Sequence, residues 1–359
     1  MAAHQRIVLW TLVLLVAVWI ADWGAHHLAD PLRKLRRGRG LTGAAGGALL
    51  AIITAAPEIG INTVSALRGV SNIGLGNMLG SNIVSIPIIF TIAYVASRRS
   101  LTTESGTGDE SSAEISGEAG DGPPPDPDRH EAAPGERVLQ LEPRTLTVHV
   151  LPYLGILFLI AALTVPEPVR GLQSVDGGVM LVAYVVYLSQ AVFRGRRSGE
   201  ATEWTRRELA LAGSGVGAVA VGAFFAVRAT EQLADLVGIP EIVGGLFITA
   251  TMSTVPEMFN TWQVVRSGQV TAGTTSVLAD NTATVTLGFL PLALVTVPIR
   301  DLSFYSLNFL FLAFIPALLA VLIHFGSGGS GLRRRHVLVL DGVYACYLAV
   351  MAVVVLNLR

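Results

Sequence analysis

The chain alternates between long apolar stretches and short polar connections. About ten stretches approach or exceed the ~20 residues that a helix needs to cross a bilayer. The spans predicted from this pattern cover residues 7–25, 42–67, 71–97, 147–165, 177–194, 208–230, 239–266, 270–298, 303–325 and 337–358. The pattern therefore predicts an all-α integral membrane protein with about ten transmembrane helices.

One polar connection is much longer than the others. It covers residues 98–146, and most of it is rich in Gly, Ser, Pro, Asp and Glu. Such a composition cannot bury enough apolar surface to fold alone, so we expect an acidic, disordered cytoplasmic loop. A calcium-sensing role would need an Asp-x-Asp-x-Asp-Gly loop, and the segment does not contain one.

The connections differ in their content of Arg and Lys. Every second connection holds about one Arg, whereas the others are rich in basic residues, and the positive-inside rule places the rich set in the cytoplasm. Both termini are then expected outside a plasma membrane. The formal net charge of −1 gives no sign of a nucleic-acid partner. The basic residues of the rich set are Arg33, Lys34, Arg36, Arg37, Arg39, Arg98, Arg99, Arg194, Arg196, Arg197, Arg206, Arg207, Arg333, Arg334 and Arg335.

Two Pro-Glu dipeptides lie deep inside apolar stretches and have matching surroundings. Glu58 lies in the second stretch and Glu257 in the seventh, and the same spacing separates them from Asn82 and Asn281. A carboxylate in hydrocarbon is costly, so an intramembrane Glu is a functional-site hypothesis by default. One such Glu would also fit a kinked helix with a hydrogen-bonded acid. Two in the same register favour a functional site.

The two motifs divide the chain into related halves. Residues 1–97 with 147–194 form the first half, and residues 208–359 form the second. The predicted orientation makes the helix of Glu58 run outward and that of Glu257 run inward, so we expect two inverted five-helix repeats. Secondary transporters commonly have this architecture, with the substrate site near the midplane where the repeats meet.

Oxygen donors surround both motifs. Each proline frees a backbone carbonyl one turn earlier, and polar helix faces follow downstream. The neighbouring candidates are Thr54, Ser253 and Thr254 by hydroxyl, Ala51 and Ala250 by carbonyl, Asn77, Ser81 and Ser85 on one partner face, and Ser276, Asp280 and Thr284 on the other. No His or Cys is placed to join them. Hard oxygen donors suit Ca²⁺ or Na⁺ and do not suit Zn²⁺ or Cu²⁺.

Asp280 leaves two alternatives open. If it joins Glu58 and Glu257, three carboxylates can accept several Na⁺ in place of one Ca²⁺. If it serves Asn281 or an outer vestibule instead, only two Glu remain. Two neighbouring acids in a low dielectric are costly to ionise together, and protonation would then be a natural way to discharge Ca²⁺.

These motifs resemble the calcium/cation antiporter superfamily, which includes the sodium/calcium exchangers. The repeats of that family carry Gly-Thr-Ser-x-Pro-Glu, followed by Gly-Asn-x-x-Gly-Ser-Asn. The first copy here reads Ile53-Thr-Ala-Ala-Pro-Glu58 and then Gly76-Asn-Met-Leu-Gly-Ser-Asn82. The second copy reads Met252-Ser-Thr-Val-Pro-Glu257 and then Thr275-Ser-Val-Leu-Ala-Asp-Asn281.

The resemblance implies ten helices and a role for each matching residue. Glu58 and Glu257 would be the central calcium ligands, with hydroxyl ligands from Thr54, Ser253 and Thr254. Ala51 and Ala250 would give carbonyls to flanking sodium sites, which Ser81 and Asp280 would line. Where sodium-coupled members often place Asn in one copy and Asp in the other, this chain has Ser85 and Thr284, and Ala55 replaces a hydroxyl-bearing residue.

We therefore expect a secondary-active antiporter that exports Ca²⁺ in exchange for Na⁺ by alternating access. The alternative within the same class exchanges H⁺ for Ca²⁺ at the same site. A cation channel is the alternative from another class, and inverted copies with broken helices argue against it. An intramembrane metalloprotease would need His-Glu-x-x-His, which the chain lacks. We expect no enzymatic activity, no cofactor and a monomer in the lipid bilayer.

Overall fold

The computed structural model describes residues 3–38, 51–104, 138–140, 146–167, 170–193, 205–268, 270–325 and 331–357. Helices α1 to α12 run Ala3–Gly38, Ala56–Leu67, Ser71–Glu104, Leu151–Thr164, Ser174–Phe193, Arg206–Val237, Glu241–Val243, Ala250–Arg266, Val270–Leu287, Phe289–Leu294, Leu302–Phe325 and Arg334–Asn357. Two π-helical segments, Leu146–Val150 and Gly244–Thr249, lead into α4 and α8. Strands β1 to β4 are Val138–Gln140, Gly171–Leu172, Val297–Pro298 and Gly331–Arg333.

The described residues contain seven helical stretches that are long and apolar enough to cross a membrane. They are Ala3–Leu28, Ser71–Arg98, Ala210–Val237, Glu241–Arg266, Val270–Leu294, Leu302–Phe325 and Arg334–Leu356, and Val148–Thr164 is an apolar but shorter helix. The described residues are nearly all helical, which agrees with the helical class predicted for a multi-pass membrane protein. The count of ten spans in two repeats stays a prediction.

Helices α3 and α9 form the centre of the bundle. Both are buried along most of their length, whereas the other long apolar helices expose much of their surface. Polar side chains on a membrane-spanning helix favour burial inside the bundle, away from lipid. The exposed apolar side chains of the outer helices, such as Trp19, Phe158 and Leu310, fit contact with lipid. The two downstream polar motifs therefore lie at the core.

Glycines let α3 cross the second Pro-Glu segment at close range. A Cβ atom on Gly76 or Gly80 would overlap backbone atoms of Ile242 and Leu246, and one on Gly245 would overlap Ile73. Small residues at helix crossings are typical of membrane proteins because they let backbones approach. This packing lays α7, the π-helix and α8 across α3, and it brings the second half of the chain against the first.

Two short antiparallel pairs correct the prediction of a purely α-helical fold. β1 pairs with β4, with Leu139 opposite Leu332, and β2 pairs with β3, with Leu172 opposite Val297. These four side chains are buried. The expectation of disorder throughout 98–146 is wrong for β1, because its apolar residues find a partner strand that composition alone does not reveal.

Two helices extend beyond their predicted ends. α1 continues past residue 25 to Gly38 and carries basic residues that were expected in a connection. α3 continues past residue 97 to Glu104 and takes the first residues of the expected loop. Leu, Arg and Lys are good helix formers, so a helix continues where hydropathy already falls. Several predicted features lie outside the described residues. They are residues 42–50 of the expected span 42–67, residues 105–137 and 141–145 of the expected loop, and Arg39, Arg194, Arg196 and Arg197.

Candidate cation site

The first Pro-Glu motif lies where a helical segment is interrupted. Residues 51–54 are helical, Ala55 forms a turn, and α2 begins directly after it with Pro57 in its first turn. Proline suits this position because the first turn of a helix needs no amide donor. Glu58 follows and is only 1% exposed, and neither of its carboxyl oxygens has a hydrogen-bond partner.

The second motif is irregular in a different way. The π-helix Gly244–Thr249 precedes α8, which then continues through Pro256. The predicted break at Pro256 is therefore replaced by a change of helix type about two to three turns earlier. Such π segments are frequent at functional sites. Glu257 is partly exposed, yet its Oε2 atom is enclosed and has no hydrogen-bond partner.

Ser253 links the two motifs. It belongs to the second copy, and its hydroxyl lies near the Glu58 carboxyl group of the first without a hydrogen bond to it. The same hydroxyl donates to the Ala250 carbonyl oxygen at 3.1 Å. The structure thus brings two segments almost two hundred residues apart in sequence to one place.

Asp280 is the third acid near the two Pro-Glu motifs. This residue of α9 is 4% exposed, and its carboxyl group lies near the Glu257 carboxyl group and the Thr54 hydroxyl. Its Oδ1 atom has no hydrogen-bond partner. Of the two alternatives that the sequence left open for Asp280, the structure places its side chain beside the two Pro-Glu motifs.

The hydroxyls beside the acids share one bonding pattern. Thr54 donates to the Ala51 carbonyl oxygen at 3.2 Å, and Thr254 donates to the Ala250 carbonyl oxygen at 2.9 Å. A hydroxyl that spends its proton on a carbonyl keeps its lone pairs for a cation. Ala51 and Ala250 are buried at equivalent positions of the two motifs, as the repeat predicts.

Ser81 has a less direct position. It is buried on α3 next to Gly80, which packs against Ala250. Its hydroxyl accepts a long contact of 3.5 Å from the Asn82 amide. Within the described part of the chain, Ser81 forms no hydrogen bond with the three acids. Helix packing therefore places Ser81 near the second motif without direct contact to a carboxylate.

Two further hydrogen bonds involve the downstream polar faces. One joins the two halves of the chain, and the other joins α4 to α3. Ser85 donates to the Asn281 side-chain oxygen at 3.0 Å, and Tyr153 donates to the Asn82 side-chain oxygen at 3.0 Å. Thr284 is buried on α9, and its hydroxyl has no partner. Ser85 and Thr284 occupy the two positions where sodium-coupled relatives often carry Asn and Asp. The Ser85 hydroxyl therefore has a hydrogen-bond partner, and the Thr284 hydroxyl has none.

The sequence interpretation missed Asp22. This residue of α1 acts electrostatically on both Glu58 and Glu257. The signal was present, because Asp22 is an acid inside an apolar stretch. The charged groups that act on the two Glu residues are all acidic: Asp22, Asp280 and, for Glu257, Glu58. The site therefore has a strongly negative field that none of these groups neutralises.

The acids do not form a closed metal cage by themselves. Among the described residues, His, Cys, Asp and Glu side chains form no group of three or more that could hold a metal ion. Asp280 lies near both Glu257 and Glu58, and Ser253 lies near Glu58. A bound cation would need the hydroxyl and carbonyl oxygens as well. Ca²⁺ and Na⁺ accept such mixed oxygen sets with flexible geometry.

Comparisons with known proteins point in one direction. A family model described as sodium/calcium exchanger protein matches residues 8–193 and 208–353. No curated protein matches the chain. The fold is similar to that of the sodium-calcium exchanger NCX_Mj soaked with 10 mM Na⁺ and zero Ca²⁺, at a TM-score of 0.60 and 16% identity over 96% of this chain and 99% of that one. It is also similar to the H⁺/Ca²⁺ exchanger CAX, at a TM-score of 0.64 and 14% identity over 99% of this chain and 87% of that one.

Proposed function

The chain belongs to the sodium/calcium exchanger protein family, and from this premise we propose that it exports Ca²⁺ in exchange for Na⁺ by alternating access. One observation carries the proposal. Buried carboxyl oxygens of Glu58, Glu257 and Asp280 lack hydrogen-bond partners and lie together in a negative field. Unpaired buried charges cost several kcal/mol each. Binding of a cation or a proton to these oxygens would remove that cost.

The same cost explains why transport would be an exchange. Releasing Ca²⁺ leaves the acids unpaired in a low dielectric, which is unfavourable. The empty site therefore resists the movement that changes its exposure, and a counter-ion must bind first. A channel has no such requirement, because its site never needs to be occluded. No cofactor and no enzymatic step enter this mechanism.

We assign the ligands residue by residue. Glu58 and Glu257 would bind Ca²⁺ from opposite sides. The hydroxyls of Thr54, Ser253 and Thr254 would supply further ligands, and the carbonyls of Ala51 and Ala250 would serve flanking Na⁺ sites. Asp280 would join the ions at Glu257, and Ser81 would line the site from α3.

The strand pairs support ten spans in two inverted repeats. β1 follows the third predicted span of the first repeat and pairs just before the last span of the second. β3 follows the third span of the second repeat and pairs just before the last span of the first. An inverted pseudo-twofold axis produces this reciprocal pairing, with one pair on each side of the membrane.

Exposure around the site supports access from the cytoplasm. Thr54 is exposed and Glu257 is partly exposed, whereas Glu58 and Ser253 are enclosed. In the predicted orientation, Thr54 and Glu257 lie on the cytoplasmic side of their motifs. On the other side, Glu231 of α6 binds Arg68 and Arg228 at 2.9 Å each. These contacts join the end of α2 to α6 and would keep the outer side closed.

Sodium is our choice of counter-ion because the three acids can hold more than one monovalent cation. One observation favours the second candidate, H⁺/Ca²⁺ exchange. The Glu257 and Asp280 carboxyl groups are neighbours in a buried site, and two acids so placed are costly to ionise together. A pair of this kind could bind H⁺ when Ca²⁺ leaves.

Flux in sealed proteoliposomes tests the proposal. We expect an imposed Na⁺ gradient at clamped pH to drive Ca²⁺ against its own gradient. A pH gradient without Na⁺ should drive much less. Robust exchange under the pH gradient alone would replace Na⁺ by H⁺ as the counter-ion. Ca²⁺ flux that needs no counter-ion would contradict exchange and support a channel.

A further inference from the structure

Asp22 lies on the face of α1 that packs towards the first motif. Val18, Asp22 and Ala25 are spaced by four and three residues and so share one side of the helix. Val18 belongs to the buried cluster that contains Ile61 of α2, and Ala25 belongs to the cluster that contains Ile53. Asp22 therefore shares its side of α1 with residues that belong to the same buried clusters as Ile61 and Ile53, which lie just after and just before the Pro57 turn.

The Asp22 side chain is at the edge of the bundle. It is 26% exposed and lies 3.4 Å from His26, which is itself 53% exposed one turn further along α1. An acid exposed to lipid at this depth would be costly, so its exposed edge is expected to face water. In the predicted orientation, His26 lies on the cytoplasmic side of Asp22, as Thr54 lies on the cytoplasmic side of Glu58.

The presence of Asp22 needs an explanation, because its negative charge adds to the electrostatic repulsion at the ionised Glu58 and Glu257. Its charge is the weakest of the charges that act on Glu58 and Glu257, as expected of a group that lies at a distance from them. The enclosed oxygens of these two acids have no hydrogen-bond partners. Asp22 makes no direct hydrogen bond to either acid within the described residues. A negative charge that adds to the field without binding the ion attracts cations from solution and raises their local concentration.

From this placement we infer that Asp22 is a cation-recruiting residue on the cytoplasmic access path of the exchanger. The inference rests on the proposed function. Asp22 draws hydrated Ca²⁺ from the cytoplasmic water to the Glu58–Glu257 pair, and it does not become a ligand of the bound ion. Its effect must then be confined to one membrane face, depend on charge and weaken with added salt.

The test measures the KM for Ca²⁺ in right-side-out and inside-out vesicles that contain the full chain. Asp22→Asn should raise the cytoplasmic KM about fivefold at low ionic strength, because a unit charge acts on a divalent ion through partly aqueous surroundings. The maximal rate and the outer KM should stay near wild-type values. Asp22→Glu should keep the wild-type KM, and Asp22→Lys should raise it further.

A matched control is available on α12. Asp341 is a partly buried acid in a long apolar helix, and it accepts a hydrogen bond from Thr91 at 2.8 Å. Asp341→Asn should leave the cytoplasmic KM unchanged. Choline chloride should reduce the difference between wild type and Asp22→Asn, because screening acts on long-range attraction and hardly on a buried ligand.

Chemical charge replacement separates charge from folding. Cys346 is the single cysteine of the chain, so Asp22→Cys in a Cys346→Ser background carries one thiol. An anionic methanethiosulfonate reagent should restore the low cytoplasmic KM in the folded, membrane-inserted protein, and a cationic one should raise it.

Three results would overturn the inference. They are an unchanged KM in Asp22→Lys, equal changes on both membrane faces, and equal effects of the anionic and cationic reagents. If wild type transports Ca²⁺ normally and Asp22 variants match it, only the role of Asp22 fails. If wild type moves no Ca²⁺ in exchange for any cation, the proposed function itself fails.

Discussion

At the scale of single residues, several acidic side chains lie inside the membrane-spanning bundle, where an ionised carboxylate has a high free-energy cost. Glu58 is enclosed without a partner, and Asp280 lies near the Glu257 carboxyl group and the Thr54 hydroxyl. A structural acid would be expected to have an Arg, Lys or amide donor beside it. The orphaned oxygens instead suggest that the partner is a transported ion.

Removing the charge of Asp280 should affect Na⁺-driven transport and Ca²⁺ binding to different extents. In our assignment Asp280 binds Na⁺ beside Glu257, while Ca²⁺ relies mainly on the two Glu residues. Asp280→Asn should lower Na⁺-driven Ca²⁺ flux about tenfold or more, equivalent to at least ~1.4 kcal/mol, and change Ca²⁺ affinity much less. Flux assays and Ca²⁺ binding to the purified protein measure the two effects.

Asp341→Asn is the control for this prediction, since it removes an acid from α12 that contacts Thr91. It should alter neither quantity. Equal losses of Na⁺-driven flux and Ca²⁺ affinity in Asp280→Asn would place Asp280 among the Ca²⁺ ligands instead.

At the scale of helices and strands, close backbone packing positions the site. Gly76 and Gly80 of α3 leave no room for a side chain against Ile242, Leu246 and Ala250. This contact sets the distance between the second Pro-Glu segment and the downstream face of the first copy. Small changes at the crossing should therefore affect stability and transport together.

A pair of glycine substitutions tests this packing. A Cβ atom at Gly80 would overlap the Leu246 carbonyl oxygen, whereas one at Gly178 of α5 has open space. Gly80→Ala should destabilise the protein by about 1–3 kcal/mol through overpacking. Gly178→Ala should be neutral or stabilising by up to ~1 kcal/mol through helix propensity. Thermal unfolding in detergent measures both, and a Gly80→Ala protein as stable as wild type would refute the packing argument.

Hydropathy predicted where the helices lie because spanning a bilayer requires long apolar runs. It did not predict β1, since a three-residue strand depends on β4, which is distant in sequence. It also did not predict the π-helix before α8, because backbone hydrogen-bond register is not visible in residue types. The close approach of Asp280 to Thr54 likewise required the packing of α9.

At the scale of the whole molecule, the central bundle and the long acidic segment have separate roles. Helices α3 and α9 are enclosed by other helices and carry the downstream motifs. β1, at the end of the acidic segment, pairs with β4 and buries Leu139 at 1% exposure. The β1–β4 pair is therefore part of the fold. The composition of residues 105–137, in contrast, gives no reason for a role in basal exchange.

Replacing residues 105–137 by a short Gly/Ser stretch should preserve basal exchange. The same replacement combined with Leu139→Asp should lower stability, because it buries a charge in place of an apolar side chain. Proteoliposome flux and thermal unfolding measure these outcomes. If the first variant inserts and purifies normally but does not transport, the segment is part of the mechanism.

The central claim is that Glu58 and Glu257, from two halves of the chain, hold the same ion. The most direct measurement is Ca²⁺ uptake into Na⁺-loaded proteoliposomes by Glu58→Gln and Glu257→Gln, beside Glu167→Gln, whose acid pairs with Arg170 at the surface. We predict that each of the first two variants folds normally and loses nearly all uptake, while Glu167→Gln transports like wild type. Wild-type uptake by either Glu58→Gln or Glu257→Gln would contradict a shared site.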